Sequence, residues 1–169
     1  MTDVSDQAPI TFGRVLENRL DEISNLAEQF GQWAIGAGVP QATVGAVNLM
    51  LDELITNIVT YGYPARQSGQ IRVEVQLASG RLEVLLTDYA VAHDPLQAPA
   101  PNLESSIEAR QIGGLGVYFV RQLADEVAYE RLMEGECGAN QVRIVKRYDL
   151  DQTSAARSPA GGVDFGSFD

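Results

Sequence analysis

Glu53, Asn57, Asp88 and the glycine run Gly113-Gly114-Leu115-Gly116 have the types and spacing to do chemistry. Glu53 and Asn57 lie one turn apart in LMLDELITNIVTYGYP, residues 49–64. With Thr56 and Thr60 they fall at i, i+3, i+4 and i+7, one polar stripe on a helix. Val47, Met50, Leu51, Leu54, Ile55, Ile58 and Val59 make the rest of that helix apolar, which argues for burial. A carboxylate and a carboxamide on a mostly buried helix need partners; the same stripe also reads as a plain solvent face. Asp88 ends a strand, where a carboxylate accepts a hydrogen bond from a ligand amine or caps a turn. The glycine run opens a helix, and backbone N–H groups there attract phosphate while glycines permit close approach. No Gly-Lys-Ser/Thr follows, so the run is not a Walker loop. No parallel βαβ unit surrounds it, so it is not a dinucleotide fingerprint. Taken alone, it reads as a glycine-rich turn into a helix.

The elements that must position these residues follow from periodicity. Residues 1–9 are polar and expected to be frayed. Ile10 to Val15 suits a short strand. From about Glu17 to Ala37, Leu20, Ile23, Leu26, Ala27, Phe30 and Ala34 recur at helical spacing, and Gly36, Gly38 and Pro40 end that helix. The helix with the polar stripe runs from about Gln41 to Tyr61, with Gly62 as its cap and Pro64 unable to continue it. The period then changes to 2. Ile71, Val73, Val75 and Leu77 make one strand and Leu82, Val84 and Leu86 the next, an antiparallel hairpin around Ser79-Gly80. Residues 89–112 have no sustained period, and so long a loop suits a lid or a disordered insertion. Val117, Val120, Leu123 and Ala124 share one face of a helix after the glycine run. Val127–Met133 and Val142–Tyr148 read as strands joined through Gly135 and Gly138. Residues 149–169 have little to bury and read as a flexible tail.

The chain has 169 residues, 45% hydrophobic and 21% charged, which suits one globular domain. Its formal net charge is −11, with 23 acidic residues against 12 basic ones. No basic cluster appears, so a nucleic-acid or anionic-membrane partner is not expected, and a protein with a basic patch fits better. Cys137 is the only cysteine and His93 the only histidine. That excludes an internal disulfide and a cysteine zinc site, and argues against a Ser-His triad. No apolar run reads as a membrane span and no signal peptide is evident, so the expected location is cytoplasmic.

In this order the motifs are more specific than any one alone. LDELITNIVTYGYP at 51–64, TDYAVAHDPL at 87–96 and GGLGVYFVRQLADEVAYER at 113–131 resemble the GHKL, or Bergerat-type, ATP-binding fold. Among its members they are most similar to the bacterial anti-sigma-factor serine/threonine kinases. The resemblance covers about residues 10–148. It implies an α+β fold, a two-layer sandwich in which helices cover one face of a mixed, mainly antiparallel sheet. It implies ATP and Mg²⁺ as cofactors. Asn57 matches the asparagine that holds Mg²⁺ between the phosphates, and Glu53 the carboxylate that acts as general base. Asp88 matches the aspartate that binds the adenine amino group. Gly114 and Gly116 match the glycines at the phosphates, and Asn140 a late strand residue near the adenine end. The implied partners are a sigma factor, held by sequestration, and a STAS-type antagonist, phosphorylated on a hydroxyl. Family members are often homodimers, so a second copy of the chain is a further expected partner.

Two departures bear on activity. Asp88-Tyr89-Ala90 replaces the usual Asp-x-Gly, so a methyl group would crowd the adenine or meet a backbone angle that suits only glycine. His93-Asp94-Pro95 stands where the family tends to have Phe before Asp-Pro. The alternative to a kinase is therefore a nucleotide-binding or degenerate partner-switch module that sequesters its partner without turnover. A third reading is a structural domain with no nucleotide.

Overall fold

The computed structural model describes residues 9–64, 67–99, 115–134 and 137–150. Five strands, β1 (Ile10–Glu17), β2 (Gln70–Ala78), β3 (Arg81–Asp88), β4 (Glu126–Glu134) and β5 (Cys137–Arg147), form one sheet in the order β1-β2-β3-β5-β4. All four pairings are antiparallel, so the mainly antiparallel sheet expected has no parallel pair among the described residues. Helices α1 (Asp21–Gly36), α2 (Gln41–Asn57) and α3 (Leu115–Leu123) complete the α+β fold.

The period-2 pattern decides which face the helices cover. Ile71, Val73, Val75 and Leu77 of β2 and Leu82, Val84 and Leu86 of β3 are buried, while β2's intervening residues are exposed. In register with them, Val142 and Ile144 of β5 continue the apolar face. Leu26, Phe30 and Ala34 of α1 and six residues of α2 pack into the same core. Phe12, Phe30 and Trp33 close one corner, with ring centroids 5.4–5.9 Å apart. On the opposite face, Glu83 accepts from Arg143 and Glu126 pairs with Arg143 and Arg147, linking β3, β5 and β4.

Four boundaries differ from the sequence reading. β1 runs on to Glu17, because its residues 16 and 17 still pair with Ile71 and Gln70, and α1 starts only at Asp21. The final turn of the second helix, Ile58–Gly62, is π-helical rather than α-helical. Gly138 lies inside β5 opposite Met133, not in the connection between the strands. Taken with its last turn, the 22-residue helix Gln41–Gly62 is, by length and composition alone, long and apolar enough to cross a membrane. Its apolar circumference is used differently: Val47, Met50, Leu51, Leu54 and Ile55 are buried between the sheet and the other helices. Residues 1–8, 100–114 and 151–169 lie outside the described residues, and with them Gly113, Gly114, most of the expected lid and most of the expected tail.

Candidate nucleotide site

The sheet's buried face turns polar at one end. Residues paired across neighbouring strands share a face, and Ile71, Asp88, Asn140 and Arg131 form one such row across β2, β3, β5 and β4. One row inward lie Val73, Leu86, Val142 and Tyr129, where the apolar core begins. Asp88 and Asn140 are each only 4% exposed. Next to them is a cavity of about 380 Å³, within the size range of small-molecule sites. Leu54 and Ile58 from the α2 side, Leu86 and Val142 from the sheet, and Val117 from α3 supply apolar walls; Asn57, Asp88 and Asn140 supply polar groups.

Asp88 does two jobs with its two oxygens. Oδ1 accepts from the Ala90 N–H at 2.8 Å and from Asn140 Nδ2 at 2.9 Å, so the turn reading holds for this atom. Oδ2 has no hydrogen bond within the described residues. Burial pushes the Asp88 carboxyl above the usual aspartate range, opposed by the hydrogen bonds from Asn140 and Ala90 and by the charge of Arg131.

Asn140 is a hub rather than a free group. Its Nδ2 donates to Asp88 Oδ1 and to Val91 O at 3.0 Å. Its Oδ1 accepts from Arg131 at 2.8 Å, Tyr129 Oη at 2.9 Å and the His93 N–H at 3.4 Å. Both ends of the amide are thus taken by protein groups, an arrangement that orients Asp88 and the 90–93 segment. His93 contributes its backbone here, while Asp94 caps the short 3₁₀ turn Pro95–Gln97 through the Leu96 N–H.

The polar stripe of α2 turns inward only in part: Glu53, Thr56 and Asn57 are half-buried and Thr60 is exposed. Asn57 lines the cavity, and its half-buried carboxamide has no hydrogen-bond partner among the described residues. Glu53, half-buried one turn earlier, does not line the cavity. It lies against the first turn of α3: a Cβ built on Gly116 would stand 2.1 Å from Glu53 Oε2. Thr56 instead bonds Asp52, and Thr60 is exposed. Among the described residues, no three His, Cys, Asp or Glu side chains gather as a metal cluster. The donor set on offer is a carboxamide oxygen plus whatever a ligand brings, which suits Mg²⁺ on phosphates better than a cage of side chains.

Ala90 is 6% exposed, lines the cavity, and has no positive φ. Of the two consequences expected from the missing glycine, the backbone conflict is absent and the methyl group remains. It packs opposite Gly62, where an added Cβ would come within 2.9 Å of it. The Val91 N–H donates to Gly62 O at 3.1 Å, so the π-helical end of the second helix and the Asp88 turn are fastened together. Arg131 and Tyr129 escaped the sequence reading, which took Gly62 only as a helix cap and Gly138 only as part of a strand connection. The hairpin register carried the signal: with Glu134 opposite Cys137, Arg131 falls opposite Asn140.

Residues 16–146 match the family described as the histidine kinase-like ATPase domain. The serine/threonine-protein kinase BtrW of Bordetella bronchiseptica is 27% identical over 85 residues, covering 50% of this chain and 60% of the relative. The serine-protein kinase RsbW of Listeria innocua is 28% identical over 95 residues, 54% of this chain and 60% of the relative. The anti-sigma F factor of a Clostridium botulinum strain is 25% identical over 135 residues, 73% of this chain and 87% of the relative. The match to the two kinases thus spans about three fifths of their length. With the family match running over well more than half of its residues, from β1 to β5, the chain belongs to the histidine kinase-like ATPase domain family.

Proposed function

We propose that this protein is an ATP-dependent serine/threonine protein kinase of the anti-sigma type. It binds a sigma factor by sequestration, phosphorylates a STAS-domain antagonist, and works in the cytoplasm. One observation carries the reading: Asp88 and Asn57 meet in one cavity, and Glu53 stands beside it against the first turn of α3. The relatives named as serine kinases and as an anti-sigma factor support it.

In this reading Asp88 Oδ2, which has no hydrogen-bond donor among the described residues, accepts from the exocyclic amine of adenine. The apolar walls exclude water from the base. Asn57 gives its carbonyl oxygen to Mg²⁺, and Gly116, with Gly114 outside the described residues, keeps the backbone close to the phosphates. When bound, Mg-ATP supplies the phosphoryl group and the metal offsets its charge. Glu53 accepts the proton of the attacking serine or threonine hydroxyl. A net charge of −11 favours partners with basic patches and opposes direct nucleic-acid contact. A homodimer is also consistent with this reading.

The second reading, sequestration without turnover, is favoured by the Ala90 methyl in the cavity wall. Calorimetric titration with Mg-ATP and Mg-ADP, followed by phosphorylation of cognate STAS-domain antagonists, separates the two. Binding with transfer is expected. Binding without transfer to any cognate antagonist leaves sequestration, and no nucleotide binding overturns the kinase reading, with sequestration then standing only if a sigma-factor partner is still held.

A further inference from the structure

We propose that Arg131 is a positioning residue that, through Asn140 and the Ala90 carbonyl, sets the direction in which Asp88 presents its free oxygen to the base of a nucleotide. The proposal rests on the nucleotide reading of the cavity. One guanidinium nitrogen, Nη1, donates both to Asn140 Oδ1 at 2.8 Å and to Ala90 O at 3.3 Å. Asn140 passes the constraint on, since its other end donates to Asp88 Oδ1 and Val91 O. Arg131 thereby ties the loop wall to the sheet floor.

Three features set Arg131 apart from a surface arginine. Arg81, Arg143 and Arg147 on the opposite face all pair with Glu83 or Glu126. Arg131 is half-buried with no carboxylate in ion-pair range among the described residues, so its charge acts on Asp88 across an amide. Its seat is also built: a Cβ on Gly138 would stand 2.5 Å from Arg131 Nε and 2.6 Å from Nη2. Only a glycine lets the guanidinium lie across β5 at that point. Gly138 has no positive φ, so close approach is the reason for glycine there.

Arg131 from β4, His93 from the 89–99 segment and Tyr63 from the chain after the second helix face Asp88 electrostatically. Its paired neighbours, Ile71 and Asn140, do not titrate. Removing the Arg131 charge therefore leaves burial less opposed, and Asp88 protonates at higher pH. The test uses Arg131→Gln, Arg131→Lys and Gly138→Ala in the full chain. Asp88 titration is followed by carboxyl ¹³C NMR without nucleotide, and Mg-ADP affinity is measured across pH.

In Arg131→Gln, the Asp88 midpoint should move up. Mg-ADP affinity should fall about tenfold near neutral pH, as expected for a lost charged hydrogen bond, and further toward acid. Arg131→Lys should restore the titration but not the full affinity, because an ammonium lacks the planar fork. Gly138→Ala should lower affinity with an unchanged melting temperature, since the added methyl displaces only the flexible end of Arg131. An Asp88 midpoint unchanged in Arg131→Gln overturns the proposal. So does unchanged affinity in both Arg131→Gln and Gly138→Ala. A midpoint that moves in a parent protein that binds no nucleotide keeps the Arg131–Asp88 link. That result overturns the positioning role toward a base, together with the nucleotide reading it rests on.

Discussion

Asp88 carries two demands that oppose each other. A buried carboxylate is costly, yet an acceptor-only group is what a ligand amine requires. Asp88→Asn separates them. The amide oxygen can take over the bonds from the Ala90 N–H and Asn140, which turns the NH₂ toward the cavity. A donor then faces a donor, and Mg-ADP affinity should fall about 10- to 100-fold by calorimetry. Stability should move the other way. The folded Asp88 carboxyl lies above the usual aspartate range. Its contribution is therefore most favourable below the unfolded value and is lost as pH rises through the folded one. Without nucleotide, Asp88→Asn should melt above the parent protein at pH 7, and the gap should close as pH falls into the aspartate range. A lower melting temperature at pH 7 contradicts this. Asp88, Asn57 and Glu53 were legible as candidates because polar side chains on apolar elements stand out. Arg131 was not, since an arginine in an alternating strand looks solvent-facing until register shows what lies opposite.

At the scale of the elements, two glycines hold neighbouring pieces in place for different reasons. Ser79 and Gly80, with φ of 48° and 73°, turn β2 into β3. The Tyr148 N–H donates to Gly80 O at 2.9 Å, and a Cβ at Gly80 would stand 2.8 Å from Tyr148 O. Both the angle and the backbone contact oppose a side chain, so Gly80→Ala should cost at least about 1–2 kcal/mol in denaturant unfolding. Gly116 sits in the first turn of α3 without a positive φ, and what a methyl group would meet is the Glu53 side chain, its carboxylate first and its Cβ at 3.3 Å. Gly116→Ala should then keep or raise the melting temperature, because alanine favours the helix by about 1 kcal/mol. Phosphotransfer should fall by about 10² through misplacement of the carboxylate. If Gly116 acts through Glu53, combining it with Glu53→Gln should cost no more than Glu53→Gln alone. An additive double variant rules out that coupling. The hairpin at Ser79-Gly80 was readable from two alternating runs around a turn. The π-helical turn at Ile58–Gly62 was not, because its apolar and polar residues keep an α-like spacing.

Across the whole molecule, one row of the sheet, the α2 stripe and the start of α3 converge although they lie far apart in sequence. Order along the chain pointed to that convergence only through resemblance; strand pairing supplies its geometry. In the proposed kinase reading, the same arrangement divides the labour between holding and reacting. Asp88 and Asn57 line the cavity, whereas Glu53 stands outside it, against α3. Loss of the Glu53 carboxylate should therefore spare binding and strike chemistry. Glu53→Gln should bind Mg-ATP within a few-fold of the parent protein and still retain a sigma-factor partner in a pull-down. Its rate of phosphorylating the antagonist should drop by about 10²–10⁴, the usual contribution of a general base. A parent-like rate removes Glu53 from the role of base. Weakened binding without a rate effect at saturating Mg-ATP would instead make Glu53 part of the nucleotide cradle, leaving proton transfer to a group beyond α2.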